Sequence, residues 1–488
     1  MITENITPMK RRTTSGILML SAISFLLIIS SCSQKQNWPQ FRGPDANMIS
    51  SVSALPEEWD TVKNIAWTYK LDGAGWSSPV VWGNKVFITS SFPEKVAPAP
   101  ERNQLQGPPP PSRPAGVQQG MPPRDGRQPQ PGQGQQGPPP QEDTDTTFKQ
   151  DIYRWEITCL DLNTGEQLWK QTAFRGNPRV KKHQMNNYAT ETPVTDGERV
   201  FAYFGNRGLY CYDLDGNLLW SKDLGAFKVL NGWGTGSSPV IFNGIIYIQA
   251  DNEENSFLVA LDAATGNERW RVIREEKTNY STPYVWKNKL RTEIVANGKK
   301  ARSYDAETGK LLWELNAGGE QTIPSPAGDE STLYLGNASG QNVKGSLFAV
   351  KAGAEGDITP SDGASSGNGI LWVLPDAGLG NGSPLVYNGL IYVIASRGGE
   401  IKCINAQTGS LVYRERVSGT GAVWASPWIY TEKVWFLDDK GVTRSFTAGN
   451  TFKLVSENRL KDSFWASVAI TDGGYIFRGV KAVYCVRE

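Results

Sequence analysis

The chain has 488 residues, which is enough for one large domain or two of ordinary size. Lysine and arginine total 50 and aspartate and glutamate 49, so the net positive field that drives non-specific nucleic-acid binding is missing. The 51 glycines and 17 tryptophans, with short runs of valine, isoleucine and tyrosine, indicate an all-β protein rich in turns.

Residues 1–31 are predicted to be a bacterial lipoprotein signal peptide. Lys10, Arg11 and Arg12 form a positive segment, and the apolar run 17–29 is too short to span a bilayer comfortably. Small residues then precede Cys32, as in lipoproteins, where this cysteine is lipidated and becomes the mature N-terminus. We predict lipidation at Cys32; the alternatives are an ordinary secretory signal with a chance cysteine and an uncleaved anchor.

Residues 32–63 are predicted to form a tether and a strap. The segment Trp38–Pro44 contains two prolines and a glycine, which disfavour regular structure, while Trp38 and Phe41 require burial. We expect the strap to pack against the main domain, with a ligand role for Arg42 as the alternative.

A repeated corner divides residues 64–488 into eight units. Seven units begin at a Ser-Pro or Thr-Pro pair, and the last has Ser467-Val468 at this position. The seven pairs are Ser78-Pro79, Thr192-Pro193, Ser238-Pro239, Thr282-Pro283, Ser325-Pro326, Ser383-Pro384 and Ser426-Pro427. Where no insert intervenes, the prolines of successive corners lie 43 to 46 residues apart, and each unit holds four short β-like runs. A repeated four-stranded unit of about 40–50 residues predicts β-propeller blades.

The two ends of the repeat array complement each other. Asn64–Trp67 supplies a fourth strand with no first three before it, and the last unit ends at Glu488 after its third strand. Pairing these strands completes the last blade and removes two free sheet edges. The sequence therefore predicts an all-β, eight-bladed propeller of four-stranded antiparallel blades, closed by the N-terminal strand.

Two intervals between corners are too long because each holds an insert. Residues 93–149 are rich in proline, glutamine and glycine and interrupt blade one, and such a composition predicts disorder. Residues 352–369 form a second, Gly/Ser/Asp-rich loop between the third and fourth strands of a later blade. We predict both inserts to be surface excursions from one domain.

An aromatic residue closes most units, and a small residue precedes it at a constant position. The eight closing positions are Trp67, Trp169, Trp220, Trp270, Trp313, Trp372, Tyr413 and a degenerate site near Leu454. Cys159, Cys211, Cys403 and Cys485 occupy the small position that Ala260 holds in its unit, so we predict that they are packing residues. Disulfides are the alternative, because a secreted protein with an even cysteine count often contains them.

The stretch Ala260–Trp270 resembles the tryptophan-docking motif of quinoprotein-like propellers. This fold occurs in PQQ-dependent alcohol dehydrogenases and in BamB, the outer-membrane assembly lipoprotein. Asn187–Arg199, Trp233–Pro239 and Asp251–Ala260, together with the strap, look like an envelope branch described as PQQ-like or BamB-like. The resemblance implies a monomeric, lipid-anchored envelope scaffold that binds a protein partner and no nucleic acid; we expect it on the outer membrane, with the outside of the inner membrane as the alternative. Docking motifs pack blades together and specify no activity.

The resemblance also implies an alternative, an oxidoreductase that uses PQQ with Ca²⁺. Such enzymes hold the metal with carboxylate and amide oxygens, and many have two adjacent cysteines. This chain has no Cys-Cys pair, no Cys-x-x-Cys-His haem motif and one histidine, His183, which we expect in an exposed loop. We therefore expect no cofactor, assign no catalytic residue and favour a non-enzymatic role.

Aromatic residues precede the corners, where the loops of a propeller ring its central opening, here called the mouth. The ligand-binding candidates at the mouth are Trp76, Tyr188, Glu191, Trp233, Tyr280, Trp424 and Trp465. The rings combine apolar area with a polar atom, and Glu191 replaces the Ser, Pro, Gly or Ala of other units. A glycan or small polar ligand is therefore a further hypothesis, and packing of the rings inside the channel is the alternative.

One loop on the mouth side is acidic. Asp251, Glu253 and Glu254 follow the second strand of their unit, and clustered carboxylates suit Ca²⁺. They are the candidate metal ligands, with a solvated acidic turn as the alternative.

Overall fold

The computed structural model describes residues 1, 36–52, 54–94, 151–337, 345–361 and 363–488. The predicted signal peptide, Cys32 and all of the insert 93–149 except Pro93 and Glu94 lie outside the described residues. Residues Gln36 to Glu488 belong to one structural unit. Within the described ranges, no helix has the length and apolar character needed to cross a bilayer.

The described residues form eight antiparallel sheets, the blades, numbered here from the first corner. Blade 1 contains β2 (Val80–Trp82), β3 (Lys85–Pro93), β4 (Tyr153–Asp161) and β5 (Gln167–Gly176). Blade 2 contains β6 (Val194–Thr195), β7 (Arg199–Phe204), β8 (Gly208–Asp213) and β9 (Leu218–Lys222). A 3₁₀ turn at Leu230–Gly232 precedes blade 3, which contains β10 (Val240–Phe242), β11 (Ile245–Ala250), β12 (Phe257–Asp262) and β13 (Glu268–Ile273). Blade 4 contains β14 (Tyr284–Lys287), β15 (Thr292–Ala296), β16 (Lys300–Asp305) and β17 (Leu311–Asn316).

The second half of the chain repeats this pattern. Blade 5 contains β18 (Ala327–Gly328), β19 (Thr332–Gly336), β20 (Leu347–Lys351) and β22 (Ile370–Leu374). Blade 6 contains β23 (Leu385–Tyr387), β24 (Leu390–Ile394), β25 (Glu400–Asn405) and β26 (Leu411–Arg416). Blade 7 contains β27 (Trp428–Tyr430), β28 (Lys433–Leu437), β29 (Val442–Thr447) and β30 (Leu454–Arg459). Blade 8 contains β31 (Ala469–Thr471), β32 (Gly474–Arg478), β33 (Ala482–Val486) and, from the other end of the chain, β1 (Ile65–Lys70).

The predicted propeller and its closure are confirmed. Strand β1 pairs antiparallel with β33, with Trp67 opposite Cys485, so the N-terminal strand completes the last blade. Third strands such as β12 are buried at five consecutive residues because neighbouring blades cover both faces, which explains their uninterrupted apolar runs. Outer strands such as β13 are largely exposed and carry charged residues.

The small residues that align in the sequence occupy the same place in each blade of the structure. In every blade the small residue lies opposite the closing residue of the neighbouring outer strand. The pairs are Cys159–Trp169, Cys211–Trp220, Ala260–Trp270, Ser303–Trp313, Ala349–Trp372, Cys403–Tyr413, Ser445–Ser456 and Cys485–Trp67. The degenerate closing site is therefore Ser456, two residues after Leu454. Of the five cysteines, the four in the described residues, Cys159, Cys211, Cys403 and Cys485, are buried and free.

Five closing tryptophans dock on the next blade. Each indole covers a turn glycine and donates its N–H to a backbone carbonyl 2.9–3.2 Å away in the same turn. The tryptophan–glycine pairs are Trp67–Gly165, Trp169–Gly216, Trp220–Gly266, Trp270–Gly309 and Trp372–Gly409. A Cβ atom at these glycines would lie 2.5–2.7 Å from the ring, and their φ angles are positive, so the turn requires glycine on both counts.

Trp313 is an exception, and the second insert lies beside it. Its indole N–H donates to the buried Glu293 carboxylate at 2.8 Å within blade 4. The insert 352–369, predicted as a surface loop, contributes strand β21 (Gly356–Asp357), which pairs in parallel with β17 as a fifth strand of blade 4. Ile358, directly after it, is fully buried.

The strap crosses the face of the propeller opposite the mouth. Trp38 exchanges two backbone hydrogen bonds of 2.8 Å with Val81 in blade 1, and Met48 accepts one of 3.0 Å from Ile429 in blade 7. Trp38 and Met48 are buried, so the strap is held by apolar packing as well as by hydrogen bonds.

Candidate functional site

A cavity of about 470 Å³ lies on the propeller axis and opens at the mouth. Residues from all eight blades line it, and Phe41 of the strap lies at the opposite end. Five of the seven mouth candidates line this cavity: Trp76, Trp233, Tyr280, Trp424 and Trp465. The structure therefore brings together residues that are up to 389 positions apart in sequence.

Three of these rings form a continuous stack at one side of the cavity. Trp465 lies between Trp76 and Trp424, with centroid distances of 4.7 and 4.4 Å and interplanar angles of 22° and 17°. The stack explains why the loops before three consecutive corners all contain tryptophan. It leaves a broad apolar wall beside the axis.

Trp233 lies elsewhere on the mouth and is 36% exposed. His183 stacks on it at 4.0 Å and accepts the backbone N–H of Met185 at Nδ1. The histidine, expected in an exposed loop, is therefore half-buried against an aromatic ring. Met185 is 42% exposed and also lines the cavity.

Tyr188 does not line the cavity. Its ring is buried against Tyr153 and Trp155, with centroid distances of 5.1 and 5.7 Å, and its hydroxyl donates to the Val180 carbonyl at 3.0 Å. The long β3–β4 hairpin supplies Tyr153 and Trp155, and this packing turns Tyr188 away from the axis. Tyr188 was predicted at the mouth only because it precedes a corner in the sequence.

Glu191 also lies behind the cavity wall. The side chain is 1% exposed and accepts the Gly205 backbone N–H at 3.3 Å, and it is hydrogen-bonded to Thr235, which lines the cavity. Burial raises the pKa of Glu191 to about 7, although these hydrogen bonds oppose the increase. Near neutral pH the carboxyl group is therefore partly protonated.

Replacing Glu191 with glutamine is expected to remove a pH dependence of stability. The folded-state pKa is higher than the unfolded one, so wild-type stability falls between pH 4.5 and about 7 and then levels off. Glu191→Gln should match the wild type near pH 4 and exceed it by up to about 3 kcal/mol at pH 8. Urea unfolding at pH 4, 6 and 8 measures this difference; a variant that is less stable at pH 8 would show that the ionised carboxylate stabilises the fold.

The acidic loop does not gather its carboxylates around one point. Asp251 is fully buried and forms an ion pair with Arg274, with Oδ1 2.8 Å from Nε. Glu253 accepts from the backbone and hydroxyl of Thr278, and Glu254 accepts the Lys228 backbone N–H. Within the described ranges, no group of three or more His, Cys, Asp or Glu side chains is placed to hold a metal.

A ring of hydroxyl groups lines the cavity and was missed by sequence reasoning. The Ser or Thr of all eight corners reaches the axis: Ser78, Thr192, Ser238, Thr282, Ser325, Ser383, Ser426 and Ser467. The backbone N–H of each corner from Ser78 to Ser426 donates to the hydroxyl oxygen of the next corner, at 2.9–3.3 Å, and Ser467 accepts the last of these seven bonds. Every corner contains a Ser or Thr in the sequence, and this recurrence could have indicated the hydroxyl ring.

The strap closes the other end of the cavity. Arg42, next to Phe41, is fully buried, and its guanidinium donates to the carbonyls of Pro326 and Pro384 at 2.7 and 2.8 Å. Burial lowers the pKa of Arg42 to about 10. These prolines directly follow corner residues, so Arg42 joins blades 5 and 6 immediately beneath the hydroxyl ring.

This fold and its docking tryptophans define a quinoprotein-like, PQQ-repeat propeller. The family model described as "Outer membrane protein assembly factor BamB" matches residues 154–315 and 227–426, which together exceed half of the chain. The chain belongs to this family.

Three similar proteins illustrate the relationship. Outer membrane protein assembly factor BamB of Moranella endobia is 26% identical over 135 residues, 28% of this chain and 31% of the relative. Tetrathionate hydrolase of Acidithiobacillus ferrooxidans is 24% identical over 272 residues, 53% of this chain and 41% of the relative. The chain thus spans less than half the length of these curated relatives. The crystal structure of quinohemoprotein alcohol dehydrogenase from Comamonas testosteroni superposes with a TM-score of 0.54 at 12% identity, over 92% of this chain and 80% of that chain, and shows the shared fold.

The described residues do not fit a PQQ–Ca²⁺ centre. Asp251 and Glu191, two of the candidates on the mouth side, are engaged by protein groups, Asp251 by Arg274 and Glu191 by Gly205 and Thr235. The lining of the axial cavity includes neither an aspartate nor a glutamate. Amide oxygens of Asn186, Gln321 and Asn381 are present, so what the lining lacks for Ca²⁺ is a carboxylate.

Proposed function

We propose that this protein is a lipid-anchored, non-catalytic binding scaffold of the bacterial envelope, attached through Cys32 to the outer membrane. It acts as a monomer and binds an envelope protein partner at its mouth. Membership of the outer-membrane assembly factor family supports the proposal most strongly. The geometry is consistent with it, because the strap occupies one face and leaves the mouth open.

The chemistry of the mouth suits a protein partner. Trp233 and Met185 are exposed apolar side chains on its rim, and tryptophan is enriched among residues that dominate binding energy at interfaces. The β3–β4 hairpin of blade 1 reaches the same face, where Ser91 accepts a backbone hydrogen bond from Ala74 and another at its hydroxyl from Tyr188. The Pro/Gln-rich insert lies between β3 and β4 in the sequence. We propose that it extends the binding surface.

Site-specific photo-crosslinking in intact cells tests the proposal. A photoreactive amino acid at Trp233 should yield an adduct with an outer-membrane assembly protein. The same probe at Leu218 is the matched control, because Leu218 is 55% exposed but lies on outer strand β9 of the neighbouring blade, away from the mouth. We expect the adduct from Trp233 and not from Leu218.

Two results would contradict the proposal. Equal crosslinking from both positions would place the partner away from the mouth. A one-to-one complex with PQQ that raises the melting temperature only when Ca²⁺ is present would indicate the quinoprotein alternative instead.

A further inference from the structure

Arg207 lies on the mouth side of blade 2, in the turn between β7 and β8, and its guanidinium group has no hydrogen-bond acceptor in the part of the chain that the structure describes. The group lies over two aromatic rings, 4.1 Å from the ring centroid of Phe174 and 5.2 Å from that of Trp155. A guanidinium has five N–H donors in a planar fork that matches the two oxygens of a carboxylate. The rings hold this fork in place while the side chain stays partly exposed, so it can bind a carboxylate from outside.

Two further arginines in the described ranges lie over aromatic rings, and both have a carboxylate partner. Arg154 forms an ion pair of 3.4 Å with Glu156, and Arg271 forms one of 2.8 Å with Glu268. Charge-assisted hydrogen bonds between arginine and carboxylate are among the strong ones in proteins. Arg207 repeats the ring contact of these two arginines, but no described carboxylate completes it.

Positive charge continues from Arg207 towards the rim of the mouth. The ammonium group of Lys182 lies 5.5 Å from the ring centroid of Tyr188, which packs on the same aromatic cluster as Arg207. Burial lowers the pKa of both Lys182 and Arg207. Asp223 is the nearby acidic residue, and its two carboxylate oxygens already accept hydrogen bonds from Arg179 at 2.8 and 2.9 Å. An additional carboxylate would offset the cost of partly removing these cations from water.

This cationic patch, Arg207 and Lys182, is continuous with the apolar rim of the mouth. His183 follows Lys182 directly and stacks on Trp233 at 4.0 Å. Trp233 and Met185 are the exposed apolar side chains beside it. One extended segment can therefore place a carboxylate on the patch and an apolar side chain against the rim.

We propose that Arg207 and Lys182 bind the carboxylate side chains of an extended acidic segment of the partner protein, while an apolar side chain of the same segment contacts Trp233. The inference rests on the proposed function, since it names the chemistry of the partner that binds at the mouth. A polypeptide suits the patch better than a nucleic acid or an anionic lipid surface, because the whole chain has a net charge of only +1 and lacks a broad positive field.

Fluorescence anisotropy with the purified full-length protein tests the proposal with two peptides. One is fluorescein-labelled Gly-Asp-Phe-Asp-Phe-Asp-Gly amide, and the other has asparagine in place of each aspartate, which keeps the shape and removes the charge. The acidic peptide should bind at least about ten-fold more tightly, because hydrogen bonds to charged groups are the stronger ones. The difference should shrink as salt is added, since exposed charges are screened.

Arg207→Gln should weaken binding of the acidic peptide about ten-fold and leave the asparagine peptide unaffected. Arg271→Gln is the matched control, because it also removes an arginine that lies over an aromatic ring, but one whose charge is already paired with Glu268. It should leave both peptides unaffected. Circular dichroism checks that each variant is folded. In cells, Arg207→Gln should also reduce the adduct formed from the photoreactive residue at position 233.

Three results would overturn the proposal. Equal affinity of the wild-type protein for the two peptides would show that carboxylates are not recognised, and this comparison requires no variant to fold. Equal weakening by Arg271→Gln would assign the effect to general charge. Displacement of the acidic peptide by phosphatidylglycerol vesicles more readily than by its unlabelled copy would assign the patch to a membrane surface.

The two proposals can fail separately. An adduct at position 233 without a preference for the acidic peptide would retain the scaffold function and reject the acidic segment. A preference for the acidic peptide that Arg207→Gln removes, without any adduct in cells, would retain carboxylate recognition and reject the mouth as the site of the envelope partner.

Discussion

Replacing Trp67 with alanine is expected to reduce the free energy of unfolding by about 3–5 kcal/mol, the range for large aromatic residues in cores. The side chain is 7% exposed, covers Gly165 and donates its indole N–H to the Leu162 carbonyl at 2.9 Å. It also belongs to β1, which closes the ring non-covalently. The substitution therefore creates a cavity and weakens the joint between the two ends of the propeller.

Trp169→Ala is the matched control for this prediction. Trp169 docks on Gly216 with a similar contact, but its strand β5 pairs with β4 of the same continuous blade, whereas the β1 strand of Trp67 pairs with β33 from the other end of the chain. In urea unfolding followed by circular dichroism, Trp67→Ala should lose more stability than Trp169→Ala. Equal losses of unfolding free energy would mean that the docking contact accounts for the whole effect. Ring closure would then contribute nothing to the loss at Trp67.

Replacing Asp251 with alanine is expected to cost about 3–5 kcal/mol, because it leaves a buried arginine without its counter-ion. Arg274 and Asp251 are both fully buried, and two hydrogen bonds of 2.8 and 3.2 Å join them. Gln249 and Asn279 also donate to the same carboxylate, at 2.7 and 3.3 Å. Removing the carboxylate leaves these donors unsatisfied as well.

Two comparisons define the origin of this loss. Glu254→Ala removes an exposed carboxylate from the same loop and should change stability by less than about 0.5 kcal/mol. The double variant Asp251→Leu/Arg274→Met should recover much of the loss, because apolar pairs often replace buried ion pairs at little cost. Thermal unfolding of the three proteins provides the test. A double variant as unstable as Asp251→Ala would show that packing or the other donors dominate.

The repeated corners allowed five of the seven mouth candidates to be placed at the axial cavity from the sequence, while their role in binding stays a prediction. Aromatic residues before consecutive corners indicated the mouth, and Trp76, Trp424 and Trp465 do meet there. These tryptophans lie two residues before their corners, whereas Tyr188 lies four residues and Glu191 one residue before Thr192, and both point elsewhere. Tyr188 packs on Tyr153 and Trp155 of the long blade 1 hairpin, and Glu191 is hydrogen-bonded to Gly205 and Thr235. A repeat specifies where the backbone passes, whereas side-chain direction depends on neighbours that differ from blade to blade.

The sequence alone determined the number of blades, the closing strand and the small position shared by alanine, serine and cysteine. These features depend on local periodicity, so each repeat contains independent sequence evidence for them. Only the tertiary structure decided which distant residues meet. Asp251 pairs with Arg274 rather than with a metal, Arg42 donates to Pro326 and Pro384 more than 280 positions away, and eight corner hydroxyls converge on one axis. The physical reason is closure, because joining β1 to β33 turns a linear series of corners into a ring.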